Sequence, residues 1–245
     1  MKTVKGENRY SFLATDTETE ELVEVNESGE VIWKIDTALT VFDLWHLSDD
    51  RILFCHYGKN GSGARIIDRS GKTLFQYTTE HEVFTCQPLE NGGVLVGELR
   101  QKRIVETDDK GNIVKTIPFD YKGDEPHETM RMARKLENGT YMIVSPGSKK
   151  IVFLDETGKT LKEFDTRPDT FGAVIRPDGN VVYSCMEGLF ELDEKGNEVT
   201  PQLPAGASGL VKNQKYTVDT HVCPAGTKVY TKDAYGNLNV CYTLG

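Results

Sequence analysis

Short apolar runs separated by polar turns recur along the whole chain, and one stretch shows the unit most clearly. From Glu90 to Phe119, ENGGVLVGELRQKRIVETDDKGNIVKTIPF, a turn leads into an apolar strand, a polar loop, a second strand, a DxxG turn and a third strand. The same order returns five more times. The turn glycines Gly29, Gly71, Gly111, Gly158, Gly196 and Gly236 stand 42, 40, 47, 38 and 40 residues apart. Apolar runs this short, bounded by turn residues, predict strands.

The turn chemistry agrees. Asp68, Asp108, Asp155, Asp193 and Asp233 can each accept hydrogen bonds from amides ahead of them, while the glycine takes positive φ without steric cost. Each is expected to close a hairpin. Upstream lie the turns LSDDR (47–51), LENGG (89–93), LENGT (136–140) and RPDGN (176–180), which join an inner strand to a nearly continuous apolar one, the buried centre of the unit. One full unit reads Thr40 to Leu47, Arg51 to Cys55, Ala64 to Asp68 and Lys72 to Tyr77. The first unit needs Met1 to Val4 as its inner strand; the last is placed at 208–211, 216–222, 228–231 and 238–243.

A period near 40 in an all-β pattern is that of propeller blades. The expectation is one all-β domain, a six-bladed β-propeller of four-stranded antiparallel blades at about 1–36, 37–78, 79–119, 120–166, 167–203 and 204–245. DYKGDEP (120–126) is an insertion at a blade junction and accounts for the 47-residue spacing.

At 245 residues and 38% hydrophobic, the chain can bury a substantial core. Its net charge of −9 and pI near 5.2 argue against nucleic acid or an anionic membrane as the main partner, leaving a small molecule or a protein. No run approaches the roughly 18 apolar residues of a membrane-spanning helix. MKTVKGENRY lacks the apolar core of a signal peptide. Five cysteines without CxxC spacing suggest neither a disulfide framework nor a cysteine zinc site. A cytoplasmic location is expected, or an extracytoplasmic one if an export signal has been removed.

In each unit the inner strand begins at the rim where the second strand ends. Aligning second strands on their turns puts Thr15, His56, Glu98, Ser145, Cys185 and His221 in one column. Counting back across each hairpin, the facing inner-strand residues are Asp43, Phe84, Arg131, Phe171 and Ala207, with His81, Glu82, His127 and Glu128 above them. Imidazole and carboxylate suit a divalent metal or acid–base work, and His81 and His127 are the catalytic candidates. The plainer reading is that strands end in water and polar residues gather there. Arg131 is either a bidentate anion ligand or the partner of Glu128 or Glu98.

Lys59, Arg65, Arg100, Lys102, Arg103, Lys149 and Lys150 crowd the loops between second and third strands of blades two to four, with only Glu98 against them. That is either a solvated edge or a local field for an anionic ligand such as an acidic or sulfated sugar. The opposite end, with Asp108, Asp109, Asp155, Glu156, Asp193 and Glu194, is acidic. GxSxG, HExxH and GxxxxGK[ST] are absent. Trp33 and Trp45 are assigned to blade packing.

The repeats resemble bacterial six-bladed propellers of the PQQ-like and NHL-like kind over nearly the whole chain. ESGEVIW (27–33) resembles the tryptophan-docking turn of PQQ-like repeats, but other blades carry Phe75, Lys115, Lys162 or Thr200 there. Quinoprotein dehydrogenases have eight blades, so PQQ is not expected as cofactor. HEVFTCQPLENGGVLV and PHETMRMARKLENGTYMIV are similar to segments of arylsulfotransferase-like and surface-layer-like propellers. The first of these implies a catalytic histidine at the funnel centre, for which His81 or His127 is the match. Two functions follow: a ligand-binding or interaction propeller using its polar funnel, or a metal-dependent hydrolase, lyase or sulfotransferase-like enzyme.

Overall fold

The computed structural model describes residues 11–199, apart from 17, 27, 48–49, 124 and 177, together with 228–232 and 238–243. Strands β1 (Phe12–Asp16), β2 (Glu21–Val25) and β3 (Val31–Asp36) form a first sheet. The next three sheets have four antiparallel strands each. They are β4 (Val41–His46) to β7 (Thr73–Thr79) through β5 (Ile52–Gly58) and β6 (Gly61–Ile67), then β8 (Val83–Pro88), β9 (Val94–Glu98), β10 (Arg103–Thr107) and β11 (Ile113–Pro118), and lastly β12 (Met132–Lys135), β13 (Tyr141–Ser145), β14 (Lys150–Leu154) and β15 (Thr160–Asp165). A fifth contains β16 (Thr170–Ile175), β17 (Val181–Cys185) and β18 (Gly188–Leu192). β19 (Lys228–Lys232) and β20 (Leu238–Thr243) pair as a hairpin.

The protein is therefore an all-β propeller of antiparallel blades, and the described residues form five blades, not the expected six. Of the sixth unit, 204–245, only that hairpin is described, and two strands fall short of a blade. The proposed inner strand Met1 to Val4 lies outside the described residues. Among the described residues no helix is long and apolar enough to cross a membrane.

Alternation explains why the blades stack. Along β5, Ile52 and Phe54 belong to the core shared with the first blade, whereas Leu53 and Cys55 belong to the core shared with the third. Along β13, Tyr141 and Ile143 face one neighbour and Met142 and Val144 the other. Each of the three four-stranded sheets is buried on both faces, so its central strand reads as an unbroken apolar run.

At the end where inner strands finish, here the lower end, the Asp turns behave as their chemistry requires. Asp68, Asp108, Asp155 and Asp193 Oδ1 each accept amides two and four residues ahead, at 2.8–3.1 Å. Asn26 does the same work in blade one. The glycine answers two demands. At Gly111 φ is +83°, and a Cβ there would lie 2.6 Å from Gln76 O on the outer strand of the preceding blade. Trp33 docks on the next blade, donating to Arg69 O at 3.0 Å beneath the Arg69 guanidinium.

Candidate functional site

The upper end is less regular, and its irregularity repeats. On β4, Val41 pairs with His56 and Asp43 with Cys55, so Phe42 is an extra residue. On β16, Thr170 pairs with Cys185 and Gly172 with Ser184, leaving Phe171 extra. On β8, Phe84 and Thr85 together face Gly97, between the pairs Val83–Glu98 and Cys86–Val96. At β12, Arg131 N donates to Val144 O at 3.0 Å although Val144 already pairs with Met132. Four inner strands thus start with the same two-against-one bulge, a feature that re-aims a side chain.

The four re-aimed residues meet. Phe42 of blade two stacks on Phe84 of blade three at 4.4 Å between centroids. The Arg131 guanidinium of blade four lies 5.2 Å from the Phe84 ring and 5.7 Å from the Phe171 ring of blade five. His127, on a 3-10 turn at Pro126–Glu128, tilts against Phe84 at 5.3 Å. The insertion that carries it is held down by Lys122 N on Ser148 Oγ and Gly147 N on Glu128 O, so the long connection roofs blade four.

Arg131 Nη1 donates to His127 Nδ1 at 2.6 Å. A guanidinium has no acceptor, so Nδ1 must present its lone pair and the ring proton sits on Nε2. Burial, and then the Arg131 charge, lower the His127 pKa, which keeps the ring neutral near pH 7. In this arrangement His127 can donate a hydrogen bond but cannot act as a base through Nδ1. Arg131 is 8% exposed, cradled by rings, with His127 on its edge.

Beside this cluster Glu82 is buried and takes two donors, Arg100 Nε at 2.7 Å and Tyr57 Oη at 3.3 Å. Tyr57 tilts against Phe84 at 6.4 Å. Phe42 and Tyr57 are the members that the sequence alignment missed. Lining up the Phe-x pairs Phe42-Asp43, Phe84-Thr85 and Phe171-Gly172, instead of counting back from the turns, would have found Phe42.

The other candidates are dispersed. Asp43 lies one residue below the mouth, because the bulge puts Phe42 in the position expected for it. Its Oδ2 binds Arg134 Nη1 at 2.8 Å, Cys86 N at 3.0 Å and Thr85 Oγ1 at 3.2 Å, tying three inner strands together. Glu98 ends β9 but faces blade two, where it accepts Tyr77 Oη at 2.6 Å and Arg103 Nε at 2.5 Å. Burial opposes its ionisation, yet the bonds from Tyr77, Thr79 and Arg103 prevail and hold its carboxyl below the usual range. His56 faces blade one. His81 lies in the β7–β8 connection, its amide on Thr79 Oγ1 at 3.2 Å, and no hydrogen bond or ring contact joins it to His127 among the described residues. His221 lies outside the described residues. Among those described, no group of three or more His, Cys, Asp or Glu side chains is placed to hold a metal ion.

The cationic loops are largely neutralised. Arg100 pairs with Glu82, Lys102 with Asp120, Arg103 with Glu98, and Lys150 with Glu163 and Asp165. Glu98 is not their only counter-charge, as the sequence reading had it. Lys149 is exposed on the β13–β14 turn and has no ion-pair partner among the described residues. Positive charge at this end is carried by individual residues, with Arg131 at the mouth.

No protein-family model and no curated protein matches the chain. Solved structures do. A protein of unknown function from Bacteroides caccae aligns with a TM-score of 0.68 at 18% identity, covering 84% of this chain and 80% of its own. A streptogramin B lyase aligns at 0.63 and 14% identity, covering 98% and 89%. A catalytically inactive histidine-to-alanine variant of virginiamycin B lyase from Staphylococcus aureus, with quinupristin, aligns at 0.62 and 12%, covering 98% and 87%. At these identities the likeness shows the propeller fold alone. None of the three is a quinoprotein, NHL or arylsulfotransferase-like protein by description, so those resemblances stand at the level of the propeller.

Proposed function

We propose that the protein is a ligand-binding propeller whose upper mouth takes a small anion with an apolar face, an acidic sugar being the class that best matches. The observation that carries this is the placement of the Arg131 guanidinium between the Phe84 and Phe171 rings with His127 on its edge. An arginine so oriented meets a carboxylate or sulfate with its planar fork, while a ring face receives the C–H side of a sugar. Arg100 and Lys149 stand farther out on the same end. The net charge of −9 disfavours long polyanions, so short ligands are expected. The test is a thermal-shift screen of acidic sugars against matched neutral ones, since a ligand that binds only the native state stabilises it by mass action. Equal shifts in both sets would reject the reading.

A second reading, a hydrolase or lyase using His81 and His127 around a divalent metal, draws support from the lyases among the structural neighbours. For His127 to serve as base or ligand through Nδ1, Arg131 would have to release it. Metal analysis of the purified protein separates the readings: a stoichiometric divalent ion lost in the His81→Ala, His127→Ala double variant would favour the enzyme.

A further inference from the structure

Between the first two blades, below the upper end, three side chains share one interface and leave polar atoms without partners. Thr15 lies on β1, His56 on β5 and Arg65 on β6. Arg65 pairs across the sheet with Phe54, and His56 is two residues along from Phe54. Leu13, two before Thr15, and Phe54 both belong to the core shared by these blades. Strand alternation therefore turns all three side chains toward that interface. Thr15 Oγ1, His56 Nε2 and Arg65 Nε are buried and have no hydrogen-bond partner among the described residues. Native proteins leave few such atoms, and each calls for a reason.

Two of the three are constrained further. His56 is 2% exposed, and its Nδ1 faces Gly61 O at 3.3 Å, which fixes the ring with Nε2 unspent. Arg65, always charged and partly buried, has no carboxylate partner among the described residues. A desolvated guanidinium without a counter-ion is costly, and a bound anion removes that cost. A shallow recess lined by Glu20, Leu39, Thr40, Gly58, Asn60 and Gly61 opens at this junction, and Gly61 is also the residue that holds His56.

We propose that the junction of blades one and two binds a single small oxyanion, with Arg65 supplying the charge and Thr15 and His56 the neutral and proton-linked donors. This site is separate from the mouth, where Tyr57, the next residue along β5, faces the third blade instead. In the free protein burial, and then the Arg65 charge, push the His56 imidazole down to about 4, so the ring is neutral. An anion beside it cancels the Arg65 repulsion, and binding takes up a proton on Nε2. The charged groups that line the recess itself are Glu20 from the β1–β2 turn and Lys59 from the β5–β6 turn, which are opposite in sign.

Sodium sulfate, titrated against sodium chloride at matched ionic strength with thermal shift as readout, tests this at pH 6 and pH 8. A saturable shift is expected in the wild type, tighter at pH 6. It should weaken at least about tenfold in Arg65→Met, which loses its charge-assisted bonds, and persist in Arg131→Met. His56→Gln should keep binding and lose the pH dependence. Should Arg65→Met not fold, Thr15→Val takes its place: weaker binding supports the site, and unchanged affinity overturns it. Absence of a saturable shift, or one that survives Arg65→Met, also overturns it; survival there with loss in Arg131→Met would assign the anion to the mouth.

Discussion

At the lower end of the blades the four described Asp-x-x-Gly turns close in the same way, with carboxylate oxygens on forward amides and a glycine pressed against the preceding blade. At the upper end four inner strands depart from regular pairing at the same point, and each departure presents a different side chain: Phe42, Phe84, Arg131, Phe171. One end repeats chemistry to hold the blades together. The other repeats a backbone distortion and varies the residue it displays, which is how a repeat architecture can acquire a site without losing its packing.

The contrast predicts large losses at the lower end. Gly111→Val combines strain at φ +83° with a backbone oxygen 2.6 Å from the new Cβ, and should destabilise by about 3 kcal/mol in urea unfolding. Gly139→Ala has the same φ, +82°, but nothing within 4 Å, and should cost only about 1 kcal/mol. Comparable losses for the two would show that the approach of neighbouring blades contributes nothing.

An intermediate effect is expected at Glu98, whose buried carboxylate holds Tyr77 and Arg103. Glu98→Gln should cost roughly 2 kcal/mol, below the usual figure for breaking a buried pair because Arg103 is partly solvated. With its folded pKa depressed, Glu98 contributes stability that is fully present above 4.5 and is lost as pH falls below that value. In the variant that part of the acid limb should flatten. His56 works at a higher pH. Its pKa falls from 6.5 to about 4 on folding, so the unfolded chain binds more protons in that window and stability drops as pH is lowered through it. His56→Gln should remove this loss; an unaltered profile between pH 6.5 and 4 would mean His56 is not buried as a neutral ring.

The fold was legible because its signals are local and repeated. The glycine clock fixes the blade period, and Asp-x-x-Gly fixes where outer hairpins turn. The count of six differs from the five blades of the described residues at 204–245, where the strand pattern is weakest and only the hairpin of 228–232 and 238–243 is described. The mouth was legible only in part. Arg131, Phe84 and Phe171 were found by counting along strands, but a bulge adds one residue, and that single step exchanged Asp43 for Phe42. Ion pairing was also hidden: Glu82, Asp120, Glu163 and Asp165 reach the loop cations from elsewhere in the fold, and sequence distance gave no sign of it.

The smallest stability effect belongs to an exposed residue of the upper end. Lys149→Ala, exposed and without an ion pair among the described residues, should stay within about 0.5 kcal/mol of wild type. Arg131→Met gives up its ring contacts and its bond to His127 for about 2 kcal/mol, still less than Gly111→Val, while removing the proposed anion donor. That separation of stability from binding is the point on which the two ends differ.

Isothermal titration of glucuronate and of methyl glucoside into the wild type and Arg131→Met tests the claim most directly. The account predicts saturable binding of glucuronate alone, lost in the variant while its unfolding midpoint in urea remains above that of Gly111→Val. Equal binding of both sugars, or glucuronate binding that survives Arg131→Met, would contradict it.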